Sequence, residues 1–338
     1  MKAAVITRYG GQDAIAIQDV PQPHIEPNEV LVEVHAAGLN PFDIKIRNGK
    51  VTIIQPCHFP QPFGLEFSGK VARIGSKVSR FKQGDEVYGM MIGDRRIGAL
   101  AEYCKVAEAD LCLKPPRLGF EEAAGIPLVG LTVYQALIGI AKVRAGQKVF
   151  ISAGSGGIGT FAIQFAKALG AEVATTTSTG NVDWVSQLGA DHVIDYKKQR
   201  FEELLKDYDV VLDSVGGDSI IRGFDVLKPD GHLISIADKP DAKFAKAFGL
   251  NPAFQFVFWL LTHQVTSTAE KKKVNYTFLY VRPSGAQLSE IGKLIESERI
   301  KPVIDSTFPF EQIREAQAHL ELGRSKGKVI VTIKNDTP

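Results

Sequence analysis

The stretch Val149-Phe-Ile-Ser-Ala-Gly-Ser-Gly-Gly-Ile-Gly-Thr160 decides how this chain folds. Val149–Ser152 is a short apolar, β-rich run that ends at a glycine cluster, which is the pattern of a buried strand. Beyond it Ile158, Phe161, Ala162, Phe165, Ala166 and Leu169 recur at helical spacing, and Gly170 stops the run. Between strand and helix stand Gly154, Gly156 and Gly159 in the order G-x-G-x-x-G. In that setting Gly154 permits a tight turn, Gly156 lets backbone approach a pyrophosphate, and Gly159 allows close helix–strand packing. The helix N-terminus adds unpaired N–H groups and the positive end of a dipole. The sequence thus predicts a dinucleotide-binding turn rather than a glycine-rich turn without a ligand.

Outward from this loop the chain changes character. Up to about Pro116 it is rich in strands and turns: Ala3–Ile6, Val30–Ala36, Val71–Ile74, Glu86–Met90 and Glu102–Val106 are strand candidates separated by Pro, Gly and Asn. From near Glu121 helices and strands alternate. An apolar helix centred on Thr132–Leu137 leads to strands at Val149–Ser152, Val173–Thr177, His192–Ile194, Val210–Asp213 and Leu233–Ile236. Helices at Ile158–Leu169, Val182–Leu188 and Phe201–Leu205 lie between them. That rhythm predicts a doubly wound parallel sheet with ligands at the carboxyl ends of its strands. Asp241–Lys273 interrupts it with Phe254, Phe256, Phe258, Trp259 and the basic run Lys271–Lys273. It reads as a helical excursion packing its aromatic face on the core, or else as a lid or a self-association surface. Asn275–Val281 returns to strand, Leu288–Glu298 and Glu311–Leu322 are amphipathic helices, and Gly327–Ile333 is a closing strand able to rejoin the first sheet.

Bulk properties narrow the class. A chain of 338 residues predicts two domains, and 44% hydrophobic with 23% charged residues is ordinary for a soluble globular protein. A net charge of +2 points to no nucleic-acid partner. No segment is long and apolar enough to span a membrane, and the amino terminus reads as a strand rather than a signal peptide. Cys57, Cys104 and Cys112 show no paired spacing, which predicts free thiols in a reducing cytoplasm.

The end of the second strand of the parallel sheet reports the cofactor. An Asp or Glu about 20 residues past the glycines would bond a ribose 2′-hydroxyl. Here the chain reads Ala174-Thr-Thr-Thr-Ser-Thr-Gly-Asn181, with no carboxylate before Asp183. Thr177, Ser178 and Asn181 can donate to a 2′-phosphate without opposing its charge, and Tyr196 ends the third strand. NADP(H) is the expected cofactor.

The whole chain resembles the zinc-independent quinone oxidoreductase branch of the medium-chain dehydrogenase/reductase superfamily, which includes zeta-crystallin-like quinone reductases and plant enone reductases. The matching pieces are Gly38-Leu-Asn-Pro-Phe-Asp-Ile-Lys-Ile-Arg47, Gly64-Leu-Glu-Phe-Ser-Gly69, Arg80-Phe-Lys-Gln-Gly-Asp-Glu-Val-Tyr-Gly89 and Gly98-Ala-Leu-Ala-Glu-Tyr103. They continue with Glu122-Ala-Ala-Gly-Ile-Pro-Leu-Val-Gly-Leu-Thr132, the glycine loop, Leu188-Gly-Ala-Asp-His-Val-Ile-Asp-Tyr196, Asp213-Ser-Val-Gly-Gly217 and Gly323-Arg-Ser-Lys-Gly-Lys328. The resemblance implies an α/β protein in which a Rossmann-type doubly wound parallel sheet (residues 123–282) is inserted into a GroES-like β domain (residues 1–122 and 283–338). It implies cofactor contacts at Asn40, Thr132, Ser155, Gly156, Gly157, Ile158, Ser178, Tyr196, Val215, Phe278, Leu279 and Tyr280, with Lys328 a further candidate. Relatives often carry a basic residue where this chain has Gly180.

Zinc-dependent members of the superfamily hold catalytic zinc through Cys and His in the regions where Asn40 and Leu65 stand here. Neither residue supplies a thiolate or imidazole, and three cysteines are too few for a four-cysteine lobe. No metal is expected; Glu66 is expected to make a structural hydrogen bond or ion pair. Without a Lewis acid to hold an alkoxide, the expected reaction is hydride transfer from NADPH to a small hydrophobic quinone or an α,β-unsaturated carbonyl. Asn40, Tyr88 and Tyr134 are the candidate donors to the developing oxyanion, with Phe42 and the 254–259 aromatics as an apolar wall. Two other functions stay open: an NADP(H)-binding redox sensor or structural protein, and a zinc-dependent alcohol dehydrogenase, which Asn40 and Leu65 disfavour. The exposed edge expected of Asn275–Val281 predicts a homodimer.

Overall fold

The computed structural model of the chain describes residues 1–92, 98–237 and 240–334. It forms two compact units, Met1–Leu131 with Arg282–Pro338 and Thr132–Val281.

The first unit is built on antiparallel strands. Glu29–Leu39 pairs with Glu66–Ile74, with Tyr103–Ala107 and with the returning strand Lys328–Thr332, in which Val329 faces Leu39 and Ile330 faces Gly38. Ile304–Pro309 lies outside the returning strand, and Glu86–Met90 and Leu111–Leu113 complete the other side of this seven-stranded sheet. A second, three-stranded sheet orders Ile15–Asp19, Lys2–Ile6 and Gln61–Pro62. Glu29–Leu39 is central because it is buried along nearly its whole length: Val30, Val32, Val34, Ala37 and Leu39 join Phe63, Leu65, Phe67 and Val331 in one core, with a register shift between Val34 and Ala36. The closing strand thus does rejoin the first sheet, and it carries Lys328 into the interior.

The second unit holds six parallel strands in the order His192–Asp195, Glu172–Thr177, Lys148–Ile151, Tyr208–Asp213, Leu227–Ser235 and Asn275–Phe278. In order of appearance along the chain this is 3-2-1-4-5-6. The strand order reverses beside Lys148–Ile151, so the loop leaving that strand opens onto the point where such sheets bind ligands. Val149, Phe150 and Ile151 are buried because parallel strands lose both faces to packing. Helix Gly157–Ala168 turns Phe161, Ala162, Phe165 and Ala166 inward and is stopped by Gly170 at φ 79°.

Two expectations need correction. The apolar helix expected around Thr132–Leu137 is α-helical only over Pro127–Tyr134 and continues as a π-helical turn over Gln135–Ile140. The excursion is a long helix, Pro252–Lys272, but only Phe258 of its aromatic cluster is buried, with Thr262 and Ala269 on the same face. Phe256 is 61% exposed and Trp259 44%, because at helical spacing they fall on other arcs than Phe258. Among the described residues no helix is long and apolar enough to cross a membrane.

Candidate functional site

In the second unit the glycine loop has the shape a phosphate group needs. The sharp turn falls on Ala153, whose φ is 54°, and Gly154 is not at positive φ. Gly154 is required for space: a Cβ there would lie 2.3 Å from Thr175 Oγ1, which donates to Ile151 O. A Cβ on Gly159 would lie 2.3 Å from Ala153 O, so this glycine sets how closely helix and loop approach. At Gly156 the nearest atom to a Cβ is Ala153 O at 3.6 Å, which leaves the face open to a ligand. Helix Gly157–Ala168 begins there, and the first-turn N–H groups of Gly157, Ile158 and Gly159 have no intrahelical acceptor. A pyrophosphate is the group whose charge and lone pairs meet those donors.

The far end of the same site is the carboxyl end of Glu172–Thr177. Thr177 is 1% exposed, and its Oγ1 is enclosed with no hydrogen-bond partner among the described residues. Ser178 is half-buried and accepts from Asn181 Nδ2 at 3.2 Å; Asn181 Oδ1 in turn accepts from Trp184 Nε1 at 3.1 Å. Tyr196 is 58% exposed and tied to the second strand through its N–H, 3.1 Å from Thr177 O. Gly180 has open space around it. Exposed Val215 sits in the loop after Asp213, a buried carboxylate raised above its ordinary range chiefly by burial. Asp213 Oδ2 accepts from Gly216 N and from Ser235 Oγ, and Ser152 Oγ accepts from Ser214 N, which together fix that loop. Phe278, Leu279 and Tyr280 are half-buried; Leu279 N donates to Ser235 O, and Phe278 and Tyr280 pack on Phe244. Ser155 is half-buried in the glycine loop, and Thr132 is buried in its helix.

The first unit contains a buried polar cluster. Lys328 Nζ donates to Leu39 O at 2.9 Å and to Asn40 Oδ1 at 2.5 Å, and lies 2.7 Å from Glu66 Oε1. Asn40 Nδ2 donates to Glu66 Oε1 at 2.8 Å, and Glu66 Oε2 accepts from Leu128 N at 2.7 Å. Asp43 Oδ2 accepts from Asn40 N at 2.8 Å, and burial raises Asp43 to about 7. A charged pair is tolerated in the interior only when its remaining bonds are made, as here. Asn40 is therefore engaged at both ends of its amide, by an ammonium and by a carboxylate. Leu65 is fully buried hydrocarbon in the core. Among the described residues no group of three or more His, Cys, Asp or Glu is arranged to hold a metal.

Two family descriptions match the chain: the alcohol dehydrogenase GroES-like domain over residues 26–125 and zinc-binding dehydrogenase over residues 188–331. The mitochondrial NAD(P)H oxidoreductase RTN4IP1 of Danio rerio is 36% identical over 99% of this chain and 92% of its own length. The chloroplastic NADPH-dependent alkenal/one oxidoreductase of Arabidopsis thaliana is 34% identical over 98% of this chain and 79% of its own. A solved quinone oxidoreductase from Coxiella burnetii superposes with a TM-score of 0.87, at 32% identity and 99% coverage of both chains. The chain belongs to the zinc-independent quinone oxidoreductase branch of the medium-chain dehydrogenase/reductase superfamily.

For a member of this branch, the tyrosine candidates separate. Tyr88 is fully buried and its hydroxyl donates to Leu288 O at 2.8 Å; burial raises it well above the ordinary tyrosine range. It is a structural hydroxyl rather than a donor to substrate. Tyr134 is half-buried, its ring 6.1 Å from that of Phe165. Sequence reasoning anticipated the bonding of Glu66 without its partner, because Lys328 reaches it from the opposite end of the chain. It passed over Lys197, which only the pairing of its neighbours brings forward.

Proposed function

We propose that this protein is an NADPH-dependent reductase that delivers hydride to a quinone or an α,β-unsaturated carbonyl without a metal. The observation that carries this is the combination of an open Gly156 cradle with a second-strand end that presents Thr177 and Ser178 and no carboxylate. Bound NADPH supplies the hydride. The chain's own residues hold the pyrophosphate on the first turn of helix Gly157–Ala168 and receive the 2′-phosphate beside Thr177, Ser178 and Tyr196.

The absence of metal is argued from chemistry. Asn40 is held between Glu66 and Lys328, and an ammonium there disfavours a second cation. A conjugated acceptor spreads the arriving charge onto its own oxygen, which a hydrogen-bond donor is enough to stabilise. The hydroxyl of half-buried Tyr134 is the proposed donor.

The test is NADPH oxidation with a panel of quinones and 2-alkenals, with and without a chelator, and with NADH in parallel. Turnover that survives chelation and prefers NADPH is expected. Inactivity toward both acceptor classes would overturn the reading, and NADPH binding without turnover would favour a sensor. Stoichiometric zinc required for activity would restore the alcohol dehydrogenase reading.

We further propose a homodimer and a reducing compartment such as the cytoplasm. Asn275–Phe278 is the outermost strand of its sheet, and Cys57, Cys104 and Cys112 are free thiols. Sedimentation and subcellular fractionation decide these points. The relatives named above carry organelle names, so an organellar fraction would move the protein out of the cytoplasm.

A further inference from the structure

A phosphate at the end of Glu172–Thr177 needs a cation, and Gly180 provides none. The second and third strands run parallel with Thr177 opposite Asp195, and Tyr196 N donates to Thr177 O at 3.1 Å. The residues following Asp195 therefore lie beside Thr177 and Ser178. The Asp195 carboxyl is 7% exposed and held below the usual carboxylate range, first by a hydrogen bond from the Thr179 side chain and then by the Lys197 N–H and Lys198. It is ionised at neutral pH and repels an incoming phosphate unless positive charge outweighs it.

Three basic residues are near in sequence, and two are already committed. Lys198 Nζ lies 3.6 Å from Asp195 Oδ2. Arg200 pairs with Glu202 at 2.9 Å and Glu203 at 3.5 Å. Lys197 is exposed, its backbone N–H is fixed 3.1 Å from Asp195 Oδ1, and its ammonium has no carboxylate partner among the described residues. Lys197 stands two residues past the Asp195–Thr177 pairing, a separation that a long flexible lysine stem can span.

We propose that Lys197 is the specificity-determining cation for the 2′-phosphate of NADPH, replacing the basic side chain that Gly180 lacks. This rests on the NADPH reading above. Lys198 offsets Asp195, which leaves Lys197 as the positive charge available to the dianion at this strand end. A 2′-hydroxyl gains nothing from that charge, so Lys197 discriminates between the two cofactors rather than strengthening both.

The experiment is equilibrium titration of the cofactor-free protein with NADPH and with NADH, for the natural chain, Lys197→Gln, Lys197→Arg and the surface control Lys206→Gln. Lys197→Gln is expected to raise the Kd for NADPH about five- to tenfold. It leaves NADH within about twofold, and it flattens the salt dependence of NADPH binding. Lys197→Arg and Lys206→Gln keep the preference. If the natural protein prefers NADPH and Lys197→Gln prefers it equally, the assignment of Lys197 is wrong and the cofactor reading stands. If the natural protein binds both cofactors alike, the cofactor reading fails and the assignment falls with it.

Discussion

Lys328 Nζ lies 2.7 Å from Glu66 Oε1, with the carboxylate fully buried and the lysine nearly so. The two residues come from opposite ends of the chain and meet because the closing strand pairs beside Leu39. Glu66 accepts three hydrogen-bonding groups and Lys328 donates to three oxygens, so neither charge is left unsatisfied. Gly38 makes room for them, since a Cβ there would lie 2.5 Å from Glu66 Oε1.

Removing one partner strands the other. Glu66→Gln leaves a buried ammonium without a counter-charge, at a cost of about 3–5 kcal/mol. Thermal unfolding is expected to show a large drop in Tm for Glu66→Gln and a smaller one for Glu66→Gln combined with Lys328→Met, whose hydrophobic stem refills the space. A double variant whose loss of stability equals the sum of the losses in Glu66→Gln and Lys328→Met would show that the pair is not coupled.

Asp43 makes stability depend on pH. Burial raises it to about 7, while the unfolded chain holds an aspartate near 3.9. Between those values the folded state keeps a proton that the unfolded state releases, so stability falls as pH rises from about 4 to about 7. Glu66 strengthens the effect and Lys328 opposes it. The difference between the two states sets an upper bound of about 4 kcal/mol. Asp43→Asn keeps an acceptor for Asn40 N–H and removes the titration, so its midpoint in denaturant is expected to vary less than that of the natural chain between pH 4 and 7. Parallel pH profiles would remove Asp43 from the account.

The parallel sheet and its phosphate loop are legible in the sequence because both rest on local periodicity and short spacings. Strand Lys148–Ile151 and helix Gly157–Ala168 lie within two residues of where the pattern put them. The turn itself was misassigned by one residue: glycine tolerates positive φ most easily, yet Gly154 is needed for its proximity to Thr175, and Ala153 takes the strained φ. Long-range facts are not legible. Nothing local announces that Lys328 will reach Glu66. The aromatic run at 254–259 shows the opposite limit: composition located the helix, but not which arc it would bury.

The glycines of the loop separate binding from folding. Gly159→Ala drives a methyl against the Ala153 carbonyl, a backbone atom that cannot turn aside, and is expected to lower Tm by several degrees as well as abolish NADPH binding. Gly156→Ala meets its nearest atom at 3.6 Å, so Tm is expected to hold. The new methyl instead fills the space proposed for the pyrophosphate, and the Kd for NADPH and NADH should rise together by about tenfold or more. Unchanged affinity in Gly156→Ala would mean that the cofactor does not approach this backbone.

Tyr88 and Tyr134 should part in the same way under removal of one oxygen. Tyr88→Phe deletes the donor to Leu288 O and leaves that buried carbonyl unsatisfied, which costs about 1–3 kcal/mol of stability. Its kcat with a quinone or alkenal is expected to match that of the natural enzyme, because the hydroxyl is fully enclosed and committed. Among the described residues the Tyr134 hydroxyl makes no hydrogen bond that holds the fold together, so the Tm of Tyr134→Phe should stay within a degree or two. As a donor to the developing oxyanion it would lower kcat about tenfold or more, with KM little changed. Measured side by side, a fall in kcat for Tyr88→Phe alone would reverse the assignment, and no fall in either would remove both hydroxyls from the catalytic account.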